Sequence, residues 1–266
     1  PDCSAGVWNA GQVRIFKNVT GVWTQIGSDI LGVRKAQGFG VSVSLSSDGN
    51  VVAVGELNYG SITPDCVRVY QNQSGVWTQI GSAIEGEGGS GRSVSLSSDG
   101  SVLAIGSPYS HVSGTESGHV RIFKNVSGVW TQIGSNINGE ATGDNSGSCV
   151  SLSSDGNTVA IGSPYGYYSE TQSGQVRIFK NVSGVWTKIG SNINGTANIK
   201  FGSSVSLSSN GNIVAVGAPF SNENGYHTGH VRVYENQSGV WTEIGSAIIG
   251  AEAVSESGWS VSLSSD

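Results

Sequence analysis

Apolar positions along this chain alternate with polar ones in short runs. Val13-Arg14-Ile15-Phe16, Val43-Ser44-Leu45 and Ile213-Val214-Ala215-Val216 are rich in β-branched and aromatic residues and bounded by Gly, Asn, Asp and Ser. No long window carries the 3.6-residue period of an amphipathic helix, so the pattern predicts short strands joined by tight turns. The runs also recur. Val-Trp-Thr-(Gln/Lys/Glu)-Ile-Gly returns with its tryptophan at Trp23, Trp77, Trp130, Trp186 and Trp241, at intervals of 54, 53, 56 and 55 residues. Ahead of each lies Val-Arg-(Ile/Val)-(Phe/Tyr), with Arg14, Arg68, Arg121, Arg177 and Arg232. After each comes Ser-Val-Ser-Leu-Ser-Ser-Asp-Gly or a variant, starting near Ser42, Ser93, Cys149, Ser204 and Ser260, followed by a run such as Val51 to Gly55.

Four strands per unit follow, here called A to D. A (Val43 to Ser46) turns through Ser47-Asp48-Gly49-Asn50 into B (Val51 to Gly55), because Asp-Gly between apolar runs accepts the positive φ of a hairpin turn. C (Val13 to Lys17) is expected to turn through the four residues Asn18 to Gly21 into D (Val22 to Gly27), setting Phe16 opposite Trp23 and Arg14 opposite Gln25. One face then carries the aromatic pair and Arg14, the other Val13, Ile15 and Ile26, and both need covering. A four-stranded sheet with two faces to bury, repeated at this period, is a propeller blade stacked between neighbours. The expected fold is therefore all-β: a β-propeller of about five four-stranded antiparallel blades, one incomplete, forming a single domain over residues 1–266. The Trp and Arg series reads as blade packing with cation-π contact rather than as a ligand site.

Pro1 occupies the repeat position of Pro108, Pro164 and Pro219, and Asp266 falls in the A-to-B turn, which counts five A, C and D strands against four B strands. Two readings stay open: a segment of a longer repeat protein, which is favoured, or a gap filled by a partner or a second copy.

Charged residues make up 12% of the chain and glycines number 41, a profile of many turns and a neutral, hydroxyl-rich surface. A net charge of -6 with no basic run argues against nucleic acid and anionic lipid as partners, and no apolar stretch is long enough to cross a membrane. Cys3, Cys66 and Cys149 are too few for a disulfide scaffold and wrongly spaced for zinc. Cys3 and Cys66 each close a Pro-Asp-Cys triplet and form the preferred disulfide pair against free thiols, while Cys149 replaces a strand A serine and reads as a small buried residue.

Phe39-Gly40 leading into Val43-Ser44-Leu45, Phe201-Gly202 leading into Val205-Ser206-Leu207, and Gly217-Ala218-Pro219 with its Gly-Ser-Pro counterparts at Gly106 and Gly162 resemble the FG-GAP repeats of integrin-α-like propellers. That resemblance implies an innermost A strand and an extracellular, adhesion-type role. Many members of that family carry an Asp-rich calcium loop between the corresponding strands. Here the turn has only Asp48, Asp99, Asp155 or Asn210, too few oxygens for calcium, so no metal and no cofactor are expected.

His119 and His230 share one repeat position before strand C and read as structural, whereas His111 and His227 sit in variable B-to-C loops. Glu140 with Asp144, or Glu252 with Glu256, are the nearest thing to catalytic carboxylate pairs, and any acidic surface would supply such pairs. No nucleophile or phosphate-loop motif occurs, and the chain reads as a non-enzyme. The N-x-Ser/Thr sequon recurs at Asn18, Asn72, Asn125, Asn181 and Asn236, once per C-to-D turn, with a sixth at Asn194. The expectation from sequence is thus an extracellular structural or adhesion glycoprotein, part of a surface appendage, filament or matrix. Its partners would be other chains or copies of itself, reached through the loops or the incomplete blade, with glycans a further partner class. The alternative is a lectin-like propeller.

Overall fold

A computed structural model of the chain describes residues 10–33, 37–58, 64–165 and 173–265. Among them every regular element is a strand. The chain opens with a half-blade of β1 (Gln12–Val13), β2 (Phe16–Val19), β3 (Val22–Gln25) and β4 (Ile30–Leu31), in which β1 pairs with β4 and β2 with β3. Four complete blades follow. The first has β5 (Gln37–Leu45), β6 (Val51–Asn58), β7 (Asp65–Gln73), β8 (Val76–Gln79) and β9 (Ile84–Gly86). The second has β10 (Ser93–Leu96), β11 (Val102–Ser107), β12 (His119–Val126), β13 (Val129–Gln132) and β14 (Ile137–Asn138). The third has β15 (Cys149–Leu152), β16 (Thr158–Ser163), β17 (Gln175–Val182), β18 (Val185–Lys188) and β19 (Ile193–Asn194). The fourth has β20 (Ser204–Leu207), β21 (Ile213–Ala218), β22 (His230–Gln237), β23 (Val240–Glu243) and β24 (Ile248–Ile249). Each is an antiparallel A-B-C-D sheet in which a short fifth strand pairs with the start of C. The fold is the expected all-β propeller array. The fifth strand is an addition that the sequence pattern, with only two or three residues to show, did not predict.

The blades stack because their B strands are apolar on both sides. Every residue of β11 and β16 is buried. Between the first and second blades, Val51, Ala53, Val67 and Val69 meet Val94, Leu96, Leu103, Ile105 and Phe123. Burying each of the larger of these side chains contributes about 1.5 to 3 kcal/mol, and the same layer recurs at the next two interfaces. The A strands of successive blades pack on one another and so lie innermost, tied by bonds such as Leu96 N to Ser44 Oγ and Leu152 N to Ser95 Oγ.

The A-to-B turns form as the sequence predicts. Asp48 accepts hydrogen bonds from Ser46 Oγ at 2.6 Å and from the Asn50 backbone N–H at 2.9 Å, and these bonds hold its carboxyl below the ordinary range. The C-to-D hairpin differs from expectation. Asn18 pairs with Trp23 and Phe16 with Gln25, leaving a two-residue turn of Thr20 and Gly21, both at positive φ (51° and 88°). Asn18 Oδ1 accepts the Gly21 N–H at 2.8 Å, which favours the tighter turn, as the equivalent asparagines do in the other blades. The guanidinium groups of Arg14, Arg121 and Arg177 lie over Phe16, Phe123 and Phe179 rather than over tryptophan. The tryptophans do something else: Nε1 of Trp77, Trp130, Trp186 and Trp241 donates to the carbonyl of Ile26, Ile80, Ile133 and Ile189 in the preceding blade.

Candidate functional site

The B-to-C loops and the segments leading into the A strands lie together at one end of the blades. There the first and fourth blades depart from the second and third. The position before the A-strand glycine is Ser90 and Ser146 in the second and third blades but Phe39 and Phe201 in the first and fourth. In the serine blades the strand C arginine reaches that hydroxyl: Arg121 Nη2 lies 3.1 Å from Ser90 Oγ and Arg177 Nη2 2.9 Å from Ser146 Oγ. Where phenylalanine stands, its ring fills the space and packs edge-on against a tyrosine, Phe39 on Tyr70 and Phe201 on Tyr234. The arginine then turns to carboxylates. Arg68 Nε bonds buried Glu56 at 2.9 Å, while Arg232 bonds Glu223 at 2.6 Å and both oxygens of Glu243 at 2.8 and 2.9 Å.

In the fourth blade this swap gathers acid, base and cation at one cavity. Glu223 stands where the second blade has Val112, and Glu243 where it has Gln132. Glu223 Oε1 also lies 3.1 Å from His230 Nδ1, within ion-pair reach but off the line that a hydrogen bond requires. His230 is buried, and among the described residues its Nε2 has no hydrogen-bond partner. Burial lowers its pKa below the ordinary value and Glu223 opposes this without reversing it, so the imidazole is neutral at neutral pH and able to accept a proton. His119, at the same repeat position without such a carboxylate, is driven further, to about 4, by burial and then by Arg121. The cavity, of about 270 Å³, is lined by Asn194, Ile199 and Phe201 from the third blade and its exit and by Glu223, His230, Arg232 and Glu243 from the fourth. The B-to-C loop carries a stack of rings, Tyr226 on His227 at 3.9 Å and His227 on Phe220 at 4.6 Å, and Trp259, from the segment leading toward the next A strand, lies tilted beside Phe220 at 5.8 Å. Lys200 Nζ sits 4.2 Å from the centre of Phe220.

Of the residues singled out from sequence, Asn194, Phe201, His230 and Arg232 reach this cavity. Glu140 binds Arg177 at 3.5 Å and Lys188 at 3.6 Å, and Asp144 caps the backbone N–H groups of Glu140 and Ala141, so that acidic pair is a loop brace. His111 accepts the Glu116 backbone N–H at 3.0 Å. Cys149 donates to the Gly202 carbonyl at 3.0 Å, as Ser42, Ser93 and Ser204 do to their own glycine carbonyls, and burial pushes its thiol up to about 12. The Cys3 partner proposed for Cys66 lies outside the described residues, as does Trp8. Glu223 and Glu243 were missed. The available signal was the simultaneous change of three repeat positions, Ser to Phe201, Val to Glu223 and Gln to Glu243, within one unit.

No protein-family model matches the sequence, and no curated protein matches it. Solved structures do match in shape. A candidate 6-phosphogluconolactonase from Bacteroides uniformis superposes on 91% of this chain and 66% of its own, at a TM-score of 0.61 and 16% identity. The periplasmic gluconolactonase of Pseudomonas aeruginosa does so over 86% of this chain and 62% of its own, at a TM-score of 0.54 and 15% identity. The chain thus spans just under two thirds of each, and the likeness is one of fold. It corrects the resemblance to FG-GAP repeats: the matching propellers are of lactonase type. The glycine of each Phe-Gly pair is dictated by its backbone, φ being 86° at Gly40 and 85° at Gly202, with similar values where serine precedes it at Gly91 and Gly147. The glycine of that motif therefore follows from blade geometry. The adhesion-type role that it implied and the reading of the chain as a non-enzyme fall too. A structural, adhesion or filament module without catalytic groups does not agree with lactonase-type neighbours, nor with a fourth blade that clusters two glutamates, a histidine and an arginine.

Proposed function

We propose that this propeller hydrolyses a sugar lactone, an intramolecular ester of a polyhydroxy acid, at the cavity between the third and fourth blades. The observation that carries the reading is Glu223, with one oxygen 3.1 Å from His230 Nδ1 and 2.6 Å from Arg232. Arg232 holds Glu223 and Glu243 in place, Glu223 lies beside His230 Nδ1, and the reaction requires water to reach His230 Nε2, which is buried and without a partner among the described residues. In the reaction His230 takes a proton from water as the water oxygen bonds to the lactone carbonyl carbon. The ring C–O bond then breaks, and the proton on His230 passes to the departing alkoxide, leaving the open hydroxy acid. The exposed rings of Tyr226 and Trp259 offer surface to a sugar ring at the same end of the blade.

The names of the matching propellers support the substrate class. Location outside the cytoplasm is supported by the periplasmic neighbour and by the sequons at Asn18, Asn72, Asn125, Asn181 and Asn236, which we read as glycan acceptors. Asn194 lines the cavity, and a glycan there would obstruct it.

The test is hydrolysis of glucono-δ-lactone, followed as acid release above the spontaneous rate. His230→Gln is expected to lower kcat by about 10² to 10⁴ with the fold retained, and Glu223→Gln to shift the pH profile as well as kcat. A wild-type rate equal to the spontaneous one, across aldonolactones, would overturn the reading.

A further inference from the structure

The cavity between the third and fourth blades holds more negative than positive charge. Among the described residues that line it, Glu223 and Glu243 are carboxylates and Arg232 is the one permanent cation. That guanidinium is already committed, to Glu223 at 2.6 Å and to both oxygens of Glu243 at 2.8 and 2.9 Å. His230 is neutral at neutral pH and adds no positive charge. Lys200, beside the lining residue Ile199, is engaged by ring faces, its Nζ 4.2 Å from the centre of Phe220 and 4.9 Å from that of Tyr165. The second carboxylate is peculiar to this blade: where Glu243 stands, the other units carry Gln25, Gln79, Gln132 and Lys188. A glutamine there is enough to hold the arginine, as Gln79 Oε1 accepts from Arg68 Nη1 at 3.2 Å in the first blade. What Glu243 adds beyond the needs of the scaffold is a charge.

On the lactonase reading, which this narrows, we infer that Glu243 is a specificity-determining residue and that the lactone taken is uncharged, a phosphorylated one being rejected. The side chains of Glu223 and Glu243 are 34% and 32% exposed, so their charges act on a bound molecule through partly desolvated space. A phosphate ester on the sugar would bring about two further negative charges into the cavity, where no uncommitted cation among the described lining residues receives them. Discrimination then comes from repulsion of the wrong molecule rather than from an added contact to the right one. Ring opening yields a carboxylate, so the same charges favour departure of the product.

Calorimetric titration with glucono-δ-lactam, a ring of the same shape whose amide resists opening, and with its phosphate ester on the exocyclic hydroxyl tests this without requiring turnover. The uncharged lactam is expected to bind at least about tenfold more tightly at low salt, a preference that shrinks as added salt screens the charges. In parallel, kcat/KM for glucono-δ-lactone is expected to exceed that for its phosphate ester by a similar factor. Glu243→Gln, which keeps an acceptor for Arg232, should reduce the ratio of the two lactam affinities by about threefold or more, and the ratio cancels any loss of folded protein common to both ligands. Should neither lactone be hydrolysed while the lactams still separate, the hydrolysis reading fails and the selection by charge stands. Equal or tighter binding of the phosphate ester, a ratio that Glu243→Gln leaves unchanged, or no binding of either lactam would overturn the proposal.

Discussion

The second and third blades hold their strand C arginine with a serine hydroxyl, and the first and fourth with carboxylates, although the backbone around all four is nearly the same. The difference shows in the arginines themselves. Burial lowers the pKa of Arg121, and of Arg177 despite Glu140. For Arg232 the Glu223 bond leads and raises it, and for Arg68 burial pulls down but Glu56, together with Cys66 and Tyr70, outweighs it. A single exchange of serine for phenylalanine evicts the guanidinium from its backbone-side berth. The lesson is that the candidate site was made by denying an arginine its structural partner, after which nearby carboxylates acquire both a counterion and an orientation.

The largest effect expected on this comparison comes from Phe201→Ser. It removes a ring that is 1% exposed, at a cost of about 3 to 5 kcal/mol, and returns a hydroxyl to Arg232, so lactone hydrolysis should fall along with stability in urea. Next, Arg68→Ala strands the buried Glu56 and should cost about 3 kcal/mol or more, whereas Arg121→Ala leaves only neutral partners and should cost about 1 to 2 kcal/mol. Equal losses in denaturant would break the distinction between the two blade types.

Acid sharpens the same contrast. His119 titrates near its ordinary 6.5 when unfolded and at about 4 when folded. Above 6.5 both states are neutral and the residue adds no pH dependence. As pH falls from 6.5 toward 4 the unfolded state takes up the proton first, and stability is lost. His119→Gln should therefore flatten the decline of Tm across that window. His230, whose Glu223 opposes the downward shift, should contribute a shallower slope over a narrower range. The smallest effect is Ser146→Ala, about 1 kcal/mol, because Arg177 keeps the Asn138 carbonyl at 2.9 Å.

Strand order and blade period were legible because they follow from alternation and from spacing, both written locally. The C-to-D register was misplaced by a pair of residues because Thr20 and its serine counterparts adopt positive φ, a choice made by the asparagine side chain and not by hydrophobic pattern. The site was harder still. His230 shares its repeat position with His119, and position alone marks both as structural; what separates them is a carboxylate that approaches His230 across the B-to-C loop. Arg232 was visible only as one of five repeated arginines, and its change of partner depends on Phe201, 31 residues away in sequence.

The tryptophan bond between blades ends on a main-chain carbonyl, and every amino acid has one. The interface therefore does not read its neighbour's side chain at that point, and one blade can follow another whatever has happened to either in the loops. Such an array can gain or lose whole units by duplication or deletion without refitting a joint, while the loop positions drift freely. Chemistry such as that of the fourth blade can then arise in one copy while its siblings keep the scaffold standing.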